Sequence, residues 1–172
     1  MWTKNAVDET VRNYTQDKAR VAHLEIEISE LERQIAAAIR NLAGDEAGPR
    51  AQMISDMPHG TQVGNPTAQL AEKLASGWLP PEIKEMRNEL SGLKSEYTKT
   101  NARVKYVDAW MEGLSDRERW IIVHQCMRQE FWRDVVEDYT KEFGGQFITK
   151  DTLKWLRGKA FKTMYKAAGI RN

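Results

Sequence analysis

Ile83, Met86, Leu90, Leu93, Tyr97, Thr100, Val104, Val107, Met111 and Leu114 follow one another at alternating spacings of three and four, and of these only Thr100 is polar. A strand repeats every two residues, so this pattern demands a long helix with one narrow apolar stripe, the seam of a coiled coil. Pro80 and Pro81 open that helix, because proline is tolerated in a first turn, and Gly113 closes it. A second seam precedes it in Leu24, Ile28, Leu31, Ile35, Ala38 and Leu42, extended backwards by Val21 and Tyr14 and flanked by the solvated charges Glu25, Glu27, Glu30, Glu32 and Arg33. Residues 44–66 between the seams are rich in glycine, proline and polar side chains, which predicts a mobile loop, and 67–75 predicts a short helix. Two seams of similar length joined by a loop fold back most simply as an antiparallel helical hairpin, and any surplus apolar surface drives dimerisation.

The last third has a different organisation. Ser115, with Glu118 three positions later, has the spacing of a capping box before an amphipathic helix that reaches about Met127. A second helix over 131–143 puts Trp132, Val135, Val136, Tyr139 and Phe143 on one side and ends at Gly144 and Gly145, where glycine permits a left-handed terminus. A third helix starts from Thr149 as N-cap, with Leu153, Leu156, Ala160 and Met164 as its apolar stripe. Its other faces are basic: from Gly144 onward, seven Lys or Arg stand against the single acid Asp151. Three helices in this order, the third carrying that charge, predict a helix-turn-helix domain over 114–172, with 1–113 as the helical hairpin. A basic helix of this kind suits a polyanion, and a helix fits the major groove of double-stranded DNA.

The formal net charge of +1 hides this sorting. Divided at Gly113, the first part has 14 Lys and Arg against 17 acids, and the second has 12 against 8. Cys126 is the only cysteine, so no intramolecular disulfide framework exists and a reducing cytosol is expected. No apolar run has membrane-spanning length and the first residues lack a signal-peptide core, so the expected location is the cytoplasm.

The run from Leu114 through Arg119, then Trp132 with Val135 and Val136, then 149–160, resembles region 4 of bacterial sigma factors. With the long helical first half, and with Ile54 through Gly60 as a linker of similar type, the chain is similar to the sigma-region-4-like regulators of phages and prophages, the RinA and ArpU type of late-gene activator. The resemblance implies promoter recognition, with Lys150, Asp151, Lys154 and Trp155 facing bases and Arg157 and Lys159 approaching phosphates. The partners it implies are double-stranded DNA and RNA polymerase in a bacterial host, and a homodimer or higher oligomer is expected because a single helix-turn-helix covers few bases and gains specificity on paired half-sites. From Tyr139 to Leu153 is fourteen residues, a long turn for a helix-turn-helix.

Enzymatic chemistry finds little support. His124 and Cys126 lack the second ligand pair that a metal site needs, and His59 lies in the expected loop. No nucleophile elbow, phosphate-binding loop or dinucleotide fingerprint occurs, so neither an enzyme nor a cofactor is expected. Two other functions fit the same layout: a phage DNA-packaging protein resembling a small terminase subunit, and a coiled-coil interaction protein. The first usually carries its DNA-binding domain at the start of the chain, whereas the basic helix here comes last.

Overall fold

The computed structural model describes residues 2–45, 78–144 and 148–170, and every regular element among them is helical. They are α1 (Lys4–Asp45), α2 (Pro81–Glu112), α3 (Asp116–Ile121), α4 (Trp132–Phe143) and α5 (Lys150–Ala167). A π-helical segment, Ile122–Met127, continues α3. α1 still includes residues 44 and 45, where the sequence pattern starts its loop; the remainder of that loop, the helix expected at 67–75, His59 and the 54–60 segment lie outside the described residues.

The chain divides into two compact units that do not follow the division read from the sequence at residue 113: Leu24–Ser95 is one, and Met1–His23 with Glu96–Asn172 is the other. In the first, Leu31, Ile35 and Ile83 are buried, with Ala38, Leu42, Met86, Leu90 and Leu93 packed around them. All of these except Met86 carry branched or small aliphatic groups spaced to interlock across a helix pair, and Lys94 reaches Glu32 at 2.7 Å outside the apolar stripe.

In the second unit the seam, buried at Thr100, Val104 and Val107, is flanked by charged pairs. Arg103 forks onto Asp17 at 2.8 and 2.7 Å, Arg20 onto Glu96 at 2.8 and 3.1 Å, and the Tyr14 hydroxyl donates to Asp108 at 2.6 Å. Bidentate guanidinium–carboxylate pairs fix a register geometrically, which an apolar stripe alone does not. Beyond them the seam moves: Trp110 is buried while Met111, the seam position expected from spacing, is only half-buried. Trp2 packs edge-on against Trp110 and Tyr106, with ring centroids 5.0 and 5.3 Å away.

Two apolar clusters then organise the remaining helices. One is local to 114–172: Ile121, Val135, Tyr139 and Leu153 are buried, flanked by Trp120, Trp132, Val136 and Leu156. The other draws on distant parts of the chain, joining Val7 and Val11 of α1, Val107 and Trp110 of α2, Ile122, Cys126 and Met127, and Ala160 and Met164 of α5. The π-helical segment allows both. Burial of Ile121 with Ile122 and of Cys126 with Met127 repeats at five residues, the period of i→i+5 bonding, and Arg128 N–H donates to Val123 O in that register. An uninterrupted α-helix to Met127, as the sequence pattern implies, would turn one of these pairs away from the core.

The helix ends follow the expected chemistry with one difference. Thr149 Oγ1 accepts from Thr152 N–H at 3.3 Å, and Glu118 Oε2 accepts from both the Ser115 amide and hydroxyl at 3.0 and 2.8 Å. Gly144 has φ 60° and ψ 161°, so it ends α4 in the extended positive-φ region that only glycine occupies readily, not in a left-handed helical turn.

Candidate nucleic-acid interface

α5 is held along one side and free along the other. Leu153, Ala160 and Met164 are buried at spacings of seven and four, so one stripe of the helix faces the two clusters. Four helical residues span about 400°, which returns a side chain to nearly the same face. Lys150, Lys154, Gly158 and Lys162 are thus successive steps along one exposed row, with Asp151 and Trp155 beside it, and all six are solvent-exposed. Trp155 is 67% exposed, an unusual position for an indole. It borders a cleft of about 450 Å³ with Arg117, Phe143, Ile148 and Thr152 among its walls.

The site residues expected from the sequence fall into two sets. Lys150, Asp151, Lys154 and Trp155 lie together on the open face of the first half of α5; Lys154 Nζ is 3.3 Å from Asp151 Oδ1. Both groups of that pair are largely exposed, so water screens it and the lysine exchanges partners at little cost. Arg157 and Lys159 are held against the protein's own groups. Arg157 Nη1 donates to Gln125 Oε1 at 2.8 Å, and its guanidinium lies 5.3 Å from the Trp132 ring centroid. Lys159 Nζ sits 3.1 Å from Glu118 Oε1, at ion-pair distance without hydrogen-bond alignment.

That last pair contributes to how α5 is oriented. Glu118 is buried, which pushes its carboxyl up, but the Ser115 amide and hydroxyl together with the Lys159 ammonium outweigh burial and hold it below its ordinary value. A buried ionised carboxylate deprived of its cation is costly. Lys159 therefore adds a polar tie to the apolar stripe of Leu153, Ala160 and Met164 that sets the rotation of α5, and with it the direction in which Lys150, Lys154 and Trp155 point.

No protein-family model matches this chain, and no curated protein or solved structure does so. Its chemistry is read from its own residues.

His124 and Cys126 have separate structural surroundings. His124 stacks on Trp120 at 3.8 Å between ring centroids, and its Nδ1 is 2.8 Å from Glu130 Oε2. Burial pushes the Cys126 thiol up to about 11, against the opposing pull of Arg157 and Arg12, and Sγ donates to Gln125 Oε1 at 3.3 Å. Among the described residues no group of three or more His, Cys, Asp or Glu is arranged to hold a metal ion, and no helix is long and apolar enough to cross a membrane.

The sequence reading missed Lys4 and Arg12 of α1, which line a second cleft with Arg157 and Lys162. Their only signal is Val7 and Val11, spaced four apart ahead of Tyr14, which continue the first seam toward the start of the chain.

Proposed function

We propose that this protein is a sequence-specific DNA-binding regulator of transcription, of the kind phages and prophages use, working in the cytoplasm of a bacterial host. In this reading α4 and α5 form the helix-turn-helix, α5 enters the major groove, and α1 and α2 form a hairpin that dimerises or contacts RNA polymerase. The observation that carries it is the open row on α5. Three lysines and a solvent-exposed tryptophan stand on a helix whose opposite side is held by the buried Leu153, Ala160 and Met164 and by the pairing of Lys159 with the buried Glu118.

The chemistry suits DNA. Lys150 and Lys154 are ammonium donors for guanine O6 and N7 or for phosphates, and the apolar indole of Trp155 can lie against thymine methyl groups. Arg157 and Lys159, turned toward Gln125 and Glu118, act in this reading first by setting the helix in place.

Titration of a labelled duplex of random sequence, followed by anisotropy across a salt series, tests the reading. With roughly four phosphates neutralised per chain, log affinity is expected to fall against log salt with a slope near −4. Mapping of bound fragments in a bacterial host then identifies the operator, and Lys154→Ala is expected to lose about 1–3 kcal/mol on that site and less on random DNA. Binding that is absent, or indifferent to salt, would falsify the reading.

A further inference from the structure

The first turns of α1 and the second half of α5 enclose a cleft of about 350 Å³ that gathers cations from opposite ends of the chain. Lys4 and Arg12 enter from α1, and Arg157 and Lys162 from α5, against the single carboxylate Asp8. That carboxylate is already engaged. Tyr165, 157 positions away, donates its hydroxyl to Asp8 Oδ1 at 2.6 Å, and burial together with that bond holds the phenol above its ordinary value, so it stays neutral.

Each cation has a neutral neighbour or none. Arg157 is oriented by the Gln125 amide oxygen and the Trp132 ring, and Lys4 Nζ lies 5.9 Å from the Tyr165 ring centroid. Among the described residues, none of the four is ion-paired with a carboxylate. Some cations of this unit are matched, Arg103 with Asp17, Arg20 with Glu96 and Lys159 with Glu118, whereas the cleft brings four unmatched ones together. Gathering four cations around one carboxylate leaves positive charge in excess, which works against folding, and an anion in the cleft would offset the repulsion.

Gly158 adds an independent observation. Glycine weakens a helix interior, yet a Cβ here would meet nothing within 4 Å, so packing does not require it. Gly158 lines the cleft, and its missing side chain leaves open the space between Lys154 and Lys162 on the exposed row.

We propose that this cleft binds a phosphodiester of the DNA backbone, so that α1 takes part in DNA binding alongside α5. This rests on the DNA-binding reading above. A guanidinium fork and two ammonium groups around an open floor match the tetrahedral oxygens of a phosphate. Position favours a backbone phosphate over a detached one. Lys162 is eight residues beyond Lys154, a rise of about 12 Å with a turn of about 80° round the helix, and the major groove is about 12 Å wide. A helix that presents Lys154 to the groove floor carries Lys162 to the flanking strand.

The test uses the full chain and a short duplex of random sequence across a salt series. A variant carrying Lys4→Gln, Arg12→Gln and Lys162→Gln, all exposed positions, is compared with one carrying Lys84→Gln, Lys99→Gln and Lys105→Gln on α2, which removes equal charge from elsewhere. For one phosphate lost, the cleft variant is expected to show a slope shallower by about 0.9 and binding about eightfold weaker near 0.1 M salt, while the α2 variant stays within about twofold of wild type. Gly158→Leu, which fills the cleft without changing charge, is expected to weaken binding similarly with no drop in melting temperature.

Equal behaviour of the two triple variants, or full binding by Gly158→Leu, overturns the cleft assignment while leaving DNA binding by the protein intact. No salt-sensitive binding by wild type overturns both. If pyrophosphate raises the melting temperature of wild type but not of the cleft variant, and DNA binding is the same for both, the cleft serves a free phosphorylated ligand and the backbone assignment falls.

Discussion

The two apolar clusters of the second unit are built from similar residues and differ in how much of the chain they require. The Ile121, Val135, Tyr139 and Leu153 cluster draws on about thirty consecutive residues of α3, α4 and α5. The Val107, Trp110, Ala160 and Met164 cluster needs Val7 and Val11 from the other end of the chain as well. A core made from neighbouring segments holds a helix pair together; a core made from distant ones decides where that pair is carried. α5 belongs to both, Leu153 in the first and Met164 in the second, so its exposed row is set by two cores with different dependencies.

Trp110→Ala is expected to have the largest effect, since it removes the aromatic centre of the distant cluster and the partner of Trp2. A loss of about 3–5 kcal/mol should appear in urea unfolding. Amide exchange should quicken in the first turns of α1 and the second half of α5, while α4 keeps its protection. Uniform exchange in every helix would mean the clusters are one cooperative core.

Leu153→Ala removes a fully buried side chain of the local cluster and is expected to cost about 2–4 kcal/mol. Here α4 and the start of α5 should lose protection first. Protection lost in α1 to the same degree would erase the distinction between the clusters.

Glu118 sharpens the comparison by pH. Its carboxyl is held below the ordinary value of 4.5, so the stabilisation is present above about 4.5 and is lost as pH falls through the lower folded value. Glu118→Gln is expected to melt lower than wild type at neutral pH, and the difference should narrow as acid protonates the wild-type group. A gap that stays constant into acid would show that Glu118 acts by shape and not by charge.

Thr149→Ala should cost about 1 kcal/mol through loss of the cap on α5, with the distant cluster unaffected. The smallest effect concerns Cys126. With its thiol raised to about 11 and buried, native alkylation at pH 8 should be slow, and Trp110→Ala should speed it by opening the surrounding core. Rapid alkylation of wild type would contradict the burial described.

Helix type and helix ends were legible because their causes are local. The three-four spacing from Ile83 to Val107, the Ser115–Glu118 pair and the Thr149 cap each act within a turn or two, and each appears in the structure. The exposed row of α5 was legible for the same reason, since Leu153, Ala160 and Met164 define the opposite side by spacing alone.

What tertiary structure decided is where charge ends up and which segments share a core. Spacing marks Arg157 and Lys159 as two more cations on a basic helix, and only folding brings Gln125 and Glu118 to them. The same holds for Trp110 replacing Met111 in the core, for the π-helical turn that buries Ile122 and Met127, and for Lys4 and Arg12 meeting Lys162. A side chain's periodicity reports the face it shares with its own helix, whereas its partner across space depends on the loops, helix rotations and polar pairs that bring distant turns together, and these are settled only when the whole unit packs.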